Sequence, residues 1–97
     1  MNPRAVAITY NGLSKLEAAA AAMTPSGWAG LGEAVGRTAG EMNPQEIAIT
    51  YNGVSKVEAA AAAMTPSEWA GLAEAVGRTA SEMNPQNVAN TYNGVRQ

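Results

Sequence analysis

The chain has 97 residues, of which 46% are hydrophobic, a net charge of −2 at pH 7, and neither cysteine nor histidine. That length suits one small domain, and the charge balance argues against a purely electrostatic grip on nucleic acid. All eight acidic residues are glutamates, so the usual nucleophile–base pairs and zinc ligand sets are missing, and neither an enzyme centre, a metal nor a cofactor is expected.

The chain repeats itself. Residues 1–41 and 42–82 differ at eight positions, and residues 83–97 begin the block a third time. A fixed period of this size marks a repeat array, in which each unit buries its apolar face by stacking on its neighbours. The expected organisation is one continuous fragment with repeat 1 over residues 1–41, repeat 2 over 42–82 and a partial repeat 3, a first helix only, over 83–97.

In chain order, Asn2-Pro3 opens the first helix (helix A) and Thr24-Pro25 the second (helix B). A side-chain acceptor at the N-cap followed by proline at the first helical position favours both starts. The second copy strengthens them. Asn43-Pro44-Gln45-Glu46 and Thr65-Pro66-Ser67-Glu68 place a carboxylate three residues after each cap, as a capping box requires. Met42 with Ile47, and Met64 with Trp69, are spaced as hydrophobic staples.

Helix A of this copy is expected over about residues 44–62 and helix B over about 66–80. Ile47, Tyr51, Val54 and Ala61 give helix A a core stripe, and Ala48, Ser55, Ala59 and Ala62 a second, small-residue face. In helix B, Trp69, Leu72, Ala73, Val76 and Ala80 follow helical spacing, with Glu74 and Arg78 placed for an i, i+4 ion pair opposite. Gly30, Gly36, Gly71 and Gly77 read as points of close helix packing. The segment 48–57 also has the pattern of a hairpin around Asn52-Gly53, but a hairpin would leave Asn43-Pro44 capping nothing.

The tyrosines Tyr10, Tyr51 and Tyr92 and the tryptophans Trp28 and Trp69 occupy core positions. The last helix A has no helix B over it, so Tyr92 and Val95 are expected to be exposed and to drive self-association through residues 83–97. The expected fold is all-α, a right-handed α-solenoid of tandem antiparallel helix pairs.

The runs Met83 to Val95, Ser14 to Ala20 and Met64 to Leu72 resemble the SKWP-type repeats of large type III effectors from plant-pathogenic bacteria, over essentially the whole chain. The resemblance implies helical hairpins of similar length, secretion by a type III system into a host cell, and a role in virulence without a defined biochemical activity. Asn87 to Thr91 is also similar to helix A of octotricopeptide repeats, which bind RNA one base per repeat. Tyr92-Asn93-Gly94 stands where those repeats tend to have a bulky apolar pair and alanine.

A binding surface follows from helix geometry. Gln45, Ile49, Asn52 and Lys56 share one face of helix A, nearly opposite its core stripe. The equivalent stripes are Arg4, Ile8, Asn11 and Lys15, and Gln86, Asn90, Asn93 and Gln97. Stacking would set them side by side. Their variation between copies fits either surface drift or a recognition code, and the recurring Asn11, Asn52 and Asn93 fit either a ladder that satisfies backbone groups between stacked repeats or constant ligand contacts. The expected function is a non-catalytic scaffold binding a host protein, with single-stranded RNA binding as the alternative. No run is long enough to cross a membrane: the longest apolar one spans residues 18–23.

Overall fold

A computed structural model describes residues 1–96, with side chains placed through Gly94. Seven α-helices follow one another: α1 (Pro3–Lys15), α2 (Glu17–Ala21), α3 (Pro25–Thr38), α4 (Pro44–Ser55), α5 (Glu58–Ala63), α6 (Pro66–Thr79) and α7 (Pro85–Arg96). Single 3-10 turns at Ala39–Glu41 and Ala80–Glu82 close α3 and α6. The fold is all-α, with no strand among the described residues.

Each long helix begins where its cap places it. Ala5 N–H donates to the Asn2 side chain at 2.7 Å, and Gly27 N–H to Thr24 Oγ1 at 3.0 Å. In the second copy both capping boxes close reciprocally, between Asn43 and Glu46 and between Thr65 and Glu68. The third copy builds the same device from amides. Asn87 N–H donates to Asn84 Oδ1 at 2.7 Å, and Asn84 N–H to Asn87 Oδ1 at 3.2 Å. Each satisfied cap contributes about 1 kcal/mol.

Helix A is not one long helix. It stops at Lys15 and Ser55, and Leu16 and Val57 adopt extended backbone before a short alanine helix resumes. Ser55 Oγ donates to the Asn52 carbonyl at 2.9 Å, the acceptor that Lys56 N–H would use in a continuing helix. Lys56 N–H turns instead to the Gly53 carbonyl at 3.3 Å, tightening the last turn. Ser14 makes the same bond to Asn11 at 2.8 Å. The break redirects α5 against α3 of the preceding copy, and Ala59 and Ala62 of the expected small-residue face become exposed. The hairpin reading fails, since residues 44–55 are helical throughout.

The most extensive contacts run between equivalent helices: α1 against α4, α4 against α7, and α3 against α6. Gly53 makes the first possible. A Cβ added there would lie 3.0 Å from both the backbone carbon and the Cβ of Tyr10. Gly94 repeats the arrangement against Tyr51, with the added Cβ 2.6 Å from its carbonyl carbon. Gly30 and Gly77, in contrast, face open space, so their expected packing role does not hold.

Between the helices lie Val6, Tyr10, Trp28, Val35, Ile47, Tyr51, Val54 and Leu72, all buried. The expected stripe of helix B holds only in part. Leu72 is buried and Trp69 and Val76 are half-buried, but Ala73 and Ala80 are exposed. Their counterparts Gly32 and Ala39 are buried, because α5 and α6 cover α3 and no described helix covers the far side of α6. Arg78 also departs from expectation. Rather than pairing with Glu74, its guanidinium donates to the carbonyls of Gly40, Ala39 and Met42 at 3.0, 3.1 and 3.2 Å, tying α6 to the end of the previous helix B. Its counterpart Arg37 pairs with Glu33 of its own helix at 2.7 Å.

Close packing predicts opposite outcomes for one substitution at two equivalent sites. Gly53→Ala gains up to about 1 kcal/mol of helix propensity, but pushing α1 from α4 costs about 1–3 kcal/mol, so the urea midpoint should fall. Gly12, with nothing within 4 Å of an added Cβ, should raise it on mutation to alanine by up to about 1 kcal/mol.

The buried tyrosines predict an alkaline limit. Burial pushes the Tyr10 hydroxyl far above the ordinary phenol range, with the Glu68 carboxylate adding to the effect, and burial also raises Tyr51. The folded state therefore holds these phenols neutral while the unfolded chain ionises them near pH 10. Their contribution to stability should be complete below about pH 10 and decline as pH rises above it. Because the Tyr10 hydroxyl is buried without a hydrogen-bond partner, Tyr10→Phe should leave stability at neutral pH within about 1 kcal/mol of wild type. It should also flatten the alkaline decline in pH-dependent urea unfolding.

Candidate functional site

Because α4 packs against both α1 and α7, the three helix A stripes lie side by side. On α1, Arg4, Ile8 and Lys15 are exposed and Asn11 is half-buried. On the second copy Gln45 and Lys56 are exposed, with Ile49 and Asn52 half-buried. On α7 Gln86 is exposed, and Asn90 and Asn93 are half-buried. Gln97 lies outside the described residues. Helical spacing makes each stripe continuous, and the glycine contacts hold neighbouring stripes in register.

Two grooves open between the first and second stripes. One, of about 420 Å³, is lined by Arg4, Ala7, Ile8, Asn43, Gln45, Glu46 and Ile49. The other, of about 500 Å³, lies at the opposite ends of the helices, among Leu13, Ser14, Lys15, Glu17, Ala20, Lys56, Val57 and Glu58. Lys15 closes α1 and Lys56 caps the end of α4, where a cation suits the negative end of the helix dipole. Glu17 and Glu58, in the first turns of α2 and α5, balance them. The surface is thus mixed: amides and isoleucines in the middle, paired signs of charge at one end.

Asparagine joins the stripes. Asn93 Nδ2 donates to Asn52 Oδ1 at 3.0 Å across the α4–α7 seam, a side-chain pair between copies rather than a bond to the neighbouring backbone. Asn52 therefore keeps less capacity for a ligand than an unpaired amide would.

Sequence reasoning missed three contributions. Glu46 lines the first groove while it caps α4, and only the capping role was visible in the spacing. Asn87, which varies between copies as a code residue would, is buried and spent on the α7 cap. The Asn84-x-x-Asn87 spacing signalled this, had an amide been admitted in place of glutamate. Lastly, an apolar groove of about 480 Å³ runs between the alanine helices α2 and α5 over Met23, Pro25 and Trp28; it exists only because helix A breaks.

Among the described residues no cluster of three or more acidic or other metal-binding side chains could hold an ion. No described helix is long and apolar enough to cross a membrane.

Residues 31–50 and 71–92 match a family described as a protein of unknown function (DUF1601). Both matched segments run from helix B through its 3-10 turn into the next helix A, so they contain the Arg78 seam and the capped helix start. No curated protein and no solved structure matches the chain.

Proposed function

We propose that this chain is a segment of an α-solenoid of 41-residue repeats, a non-catalytic scaffold whose α1, α4 and α7 surface docks a host protein. One observation carries the reading: three equivalent helices pack side by side and bring Arg4, Gln45 and Gln86, and likewise Ile8, Ile49 and Asn90, into parallel rows. Protein interfaces favour a surface of exposed apolar side chains ringed by polar ones. Ile8 is 56% exposed, and the nearby cations are matched by Glu17, Glu46 and Glu58. The resemblance to SKWP-type repeats supports a secreted virulence effector, delivered by a type III system, as the larger setting.

Single-stranded RNA is the second reading, favoured by one set of amides per copy on the same face. Asn87 and Thr91, which carry part of the likeness to RNA-binding repeats, are buried, and this weighs against it.

The two readings separate on one set of variants. Under the scaffold reading, a single protein captured from plant extract should be lost on Ile8→Glu and on Ile49→Glu, retained on Glu33→Ala, and insensitive to moderate salt. Labelled single-stranded RNA that binds with a steep salt dependence, and is released by Lys15→Ala, Asn52→Ala and Lys56→Ala, would replace it with the RNA reading.

A further inference from the structure

The tyrosine–glycine contact sets an asparagine on each side of a seam. Across α4–α7, Gly94 meets the backbone of Tyr51, and their sequence neighbours Asn93 and Asn52 bond to each other. Across α1–α4, Gly53 meets the backbone of Tyr10 in the same way, which brings Asn52 beside Asn11. Here the amides stay apart. The Asn11 side chain bonds to no other described residue, and Asn52 Nδ2 donates to none. Both asparagines are half-buried, and this open pair lies inside the stack, between the first and second copies.

A peptide group is the natural complement of such a pair, because a backbone N–H suits the Asn11 acceptor and a backbone carbonyl the Asn52 donor. An α-helix already spends these groups internally, whereas an extended chain leaves them free. The surroundings match an extended chain as well. Ile8 and Ile49, three residues before the asparagines, line the groove on one side of the pair. Lys15 and Lys56, four residues after them, line the groove on the other side. Successive side chains of an extended chain point to opposite sides, so neighbouring residues would enter one groove each. Lys15 and Lys56 form no ion pair with a described residue. Glu17 and Glu58 lie beyond them, on the α2 and α5 side of the groove, so the lysines are the nearer charges to the asparagine pair.

We propose that the segment docked on this surface is an extended stretch of the partner protein that crosses α1 and α4. Asn11 and Asn52 hold one of its peptide groups. An apolar side chain next to that group covers Ile8 and Ile49, and the neighbouring acidic side chain sits at Lys15 and Lys56. The proposal rests on the scaffold reading and adds the form and chemistry of the partner. It accounts for asparagine at the same place in each copy, since a main-chain contact is independent of the partner's sequence. Arg4 and Gln45, which differ between copies, line the groove that takes a side chain.

The test is an NMR titration of the isotope-labelled chain with a short peptide of alternating valine and glutamate. Saturable shifts are expected in the side-chain amides of Asn11 and Asn52 and in the backbone amides of Ile8 and Ile49. Asn52→Asp keeps the acceptor that Asn93 uses but loses the donor, whereas Asn11→Asp adds the same charge and keeps its acceptor. The first should therefore weaken binding about tenfold more than the second. The same peptide methylated on its main-chain nitrogens should not bind, and Lys56→Ala should lower both the affinity and its salt dependence. Unmoved asparagine signals, equal losses for the two aspartate variants, or undiminished binding of the methylated peptide would overturn the proposal. So would labelled single-stranded RNA that shifts these amides where the peptide does not. A captured protein that is lost on Ile8→Glu but indifferent to Asn52→Asp would sink this inference and leave the scaffold reading standing. Peptide binding of the expected kind with no protein captured would support the extended mode and count against the host-protein reading.

Discussion

The fold depends on one contact made twice: a glycine of one helix A against the backbone of a tyrosine in the helix A before it. A Cβ added at Gly53 would lie 3.0 Å from Tyr10, tighter than ordinary packing, and one added at Gly94 would lie 2.6 Å from Tyr51, where something must shift. That approach brings whole helices into register rather than merely adding buried area. It fixes the Asn52–Asn93 bond, and it sets the grooves that separate neighbouring stripes. A glycine within a helix costs about 1 kcal/mol relative to alanine, and here the cost is offset by close packing that a larger residue would disturb.

Near-identical copies occupy different surroundings, and several of their differences follow from that. Gly32 faces copy 2, where an added Cβ would lie 2.7 Å from Glu68 Oε1, whereas its counterpart Ala73 is exposed. Position 27 is glycine in the first copy, and its counterpart in the second is Glu68, which completes a capping box. Positions 5, 46 and 87 carry alanine, glutamate and asparagine, and the latter two close caps. Variation at those three positions therefore belongs to helix initiation. A search for recognition residues is better directed to Arg4, Gln45 and Gln86, which stay exposed in every copy.

Much of this was legible in the sequence. Capping is a local interaction, so Asn43-Pro44 and Thr65-Pro66 located the starts of their helices, and helical periodicity alone placed Arg4, Ile8, Asn11 and Lys15 on one face. The break at Leu16 and Val57 was not legible: it depends on a serine hydroxyl taking a backbone carbonyl and on α5 finding α3 of another copy. Arg78 was misread for the same reason. Its acceptors lie almost a full repeat away in sequence, while Glu74 is the nearer charge. Exposure of Ala73 and Ala80 reflects where α6 sits in the stack, a property that periodicity within one helix does not contain.

Stacking through repeated seams has a direct thermodynamic signature, since each added copy contributes its own energy and one more interface. The most direct measurement is equilibrium urea unfolding of this chain and of versions extended by one and two whole copies of residues 42–82. The account predicts that both the midpoint and its steepness rise with each copy. A midpoint independent of copy number would contradict it, because the copies would then be folding as separate units without coupling across the tyrosine–glycine seam.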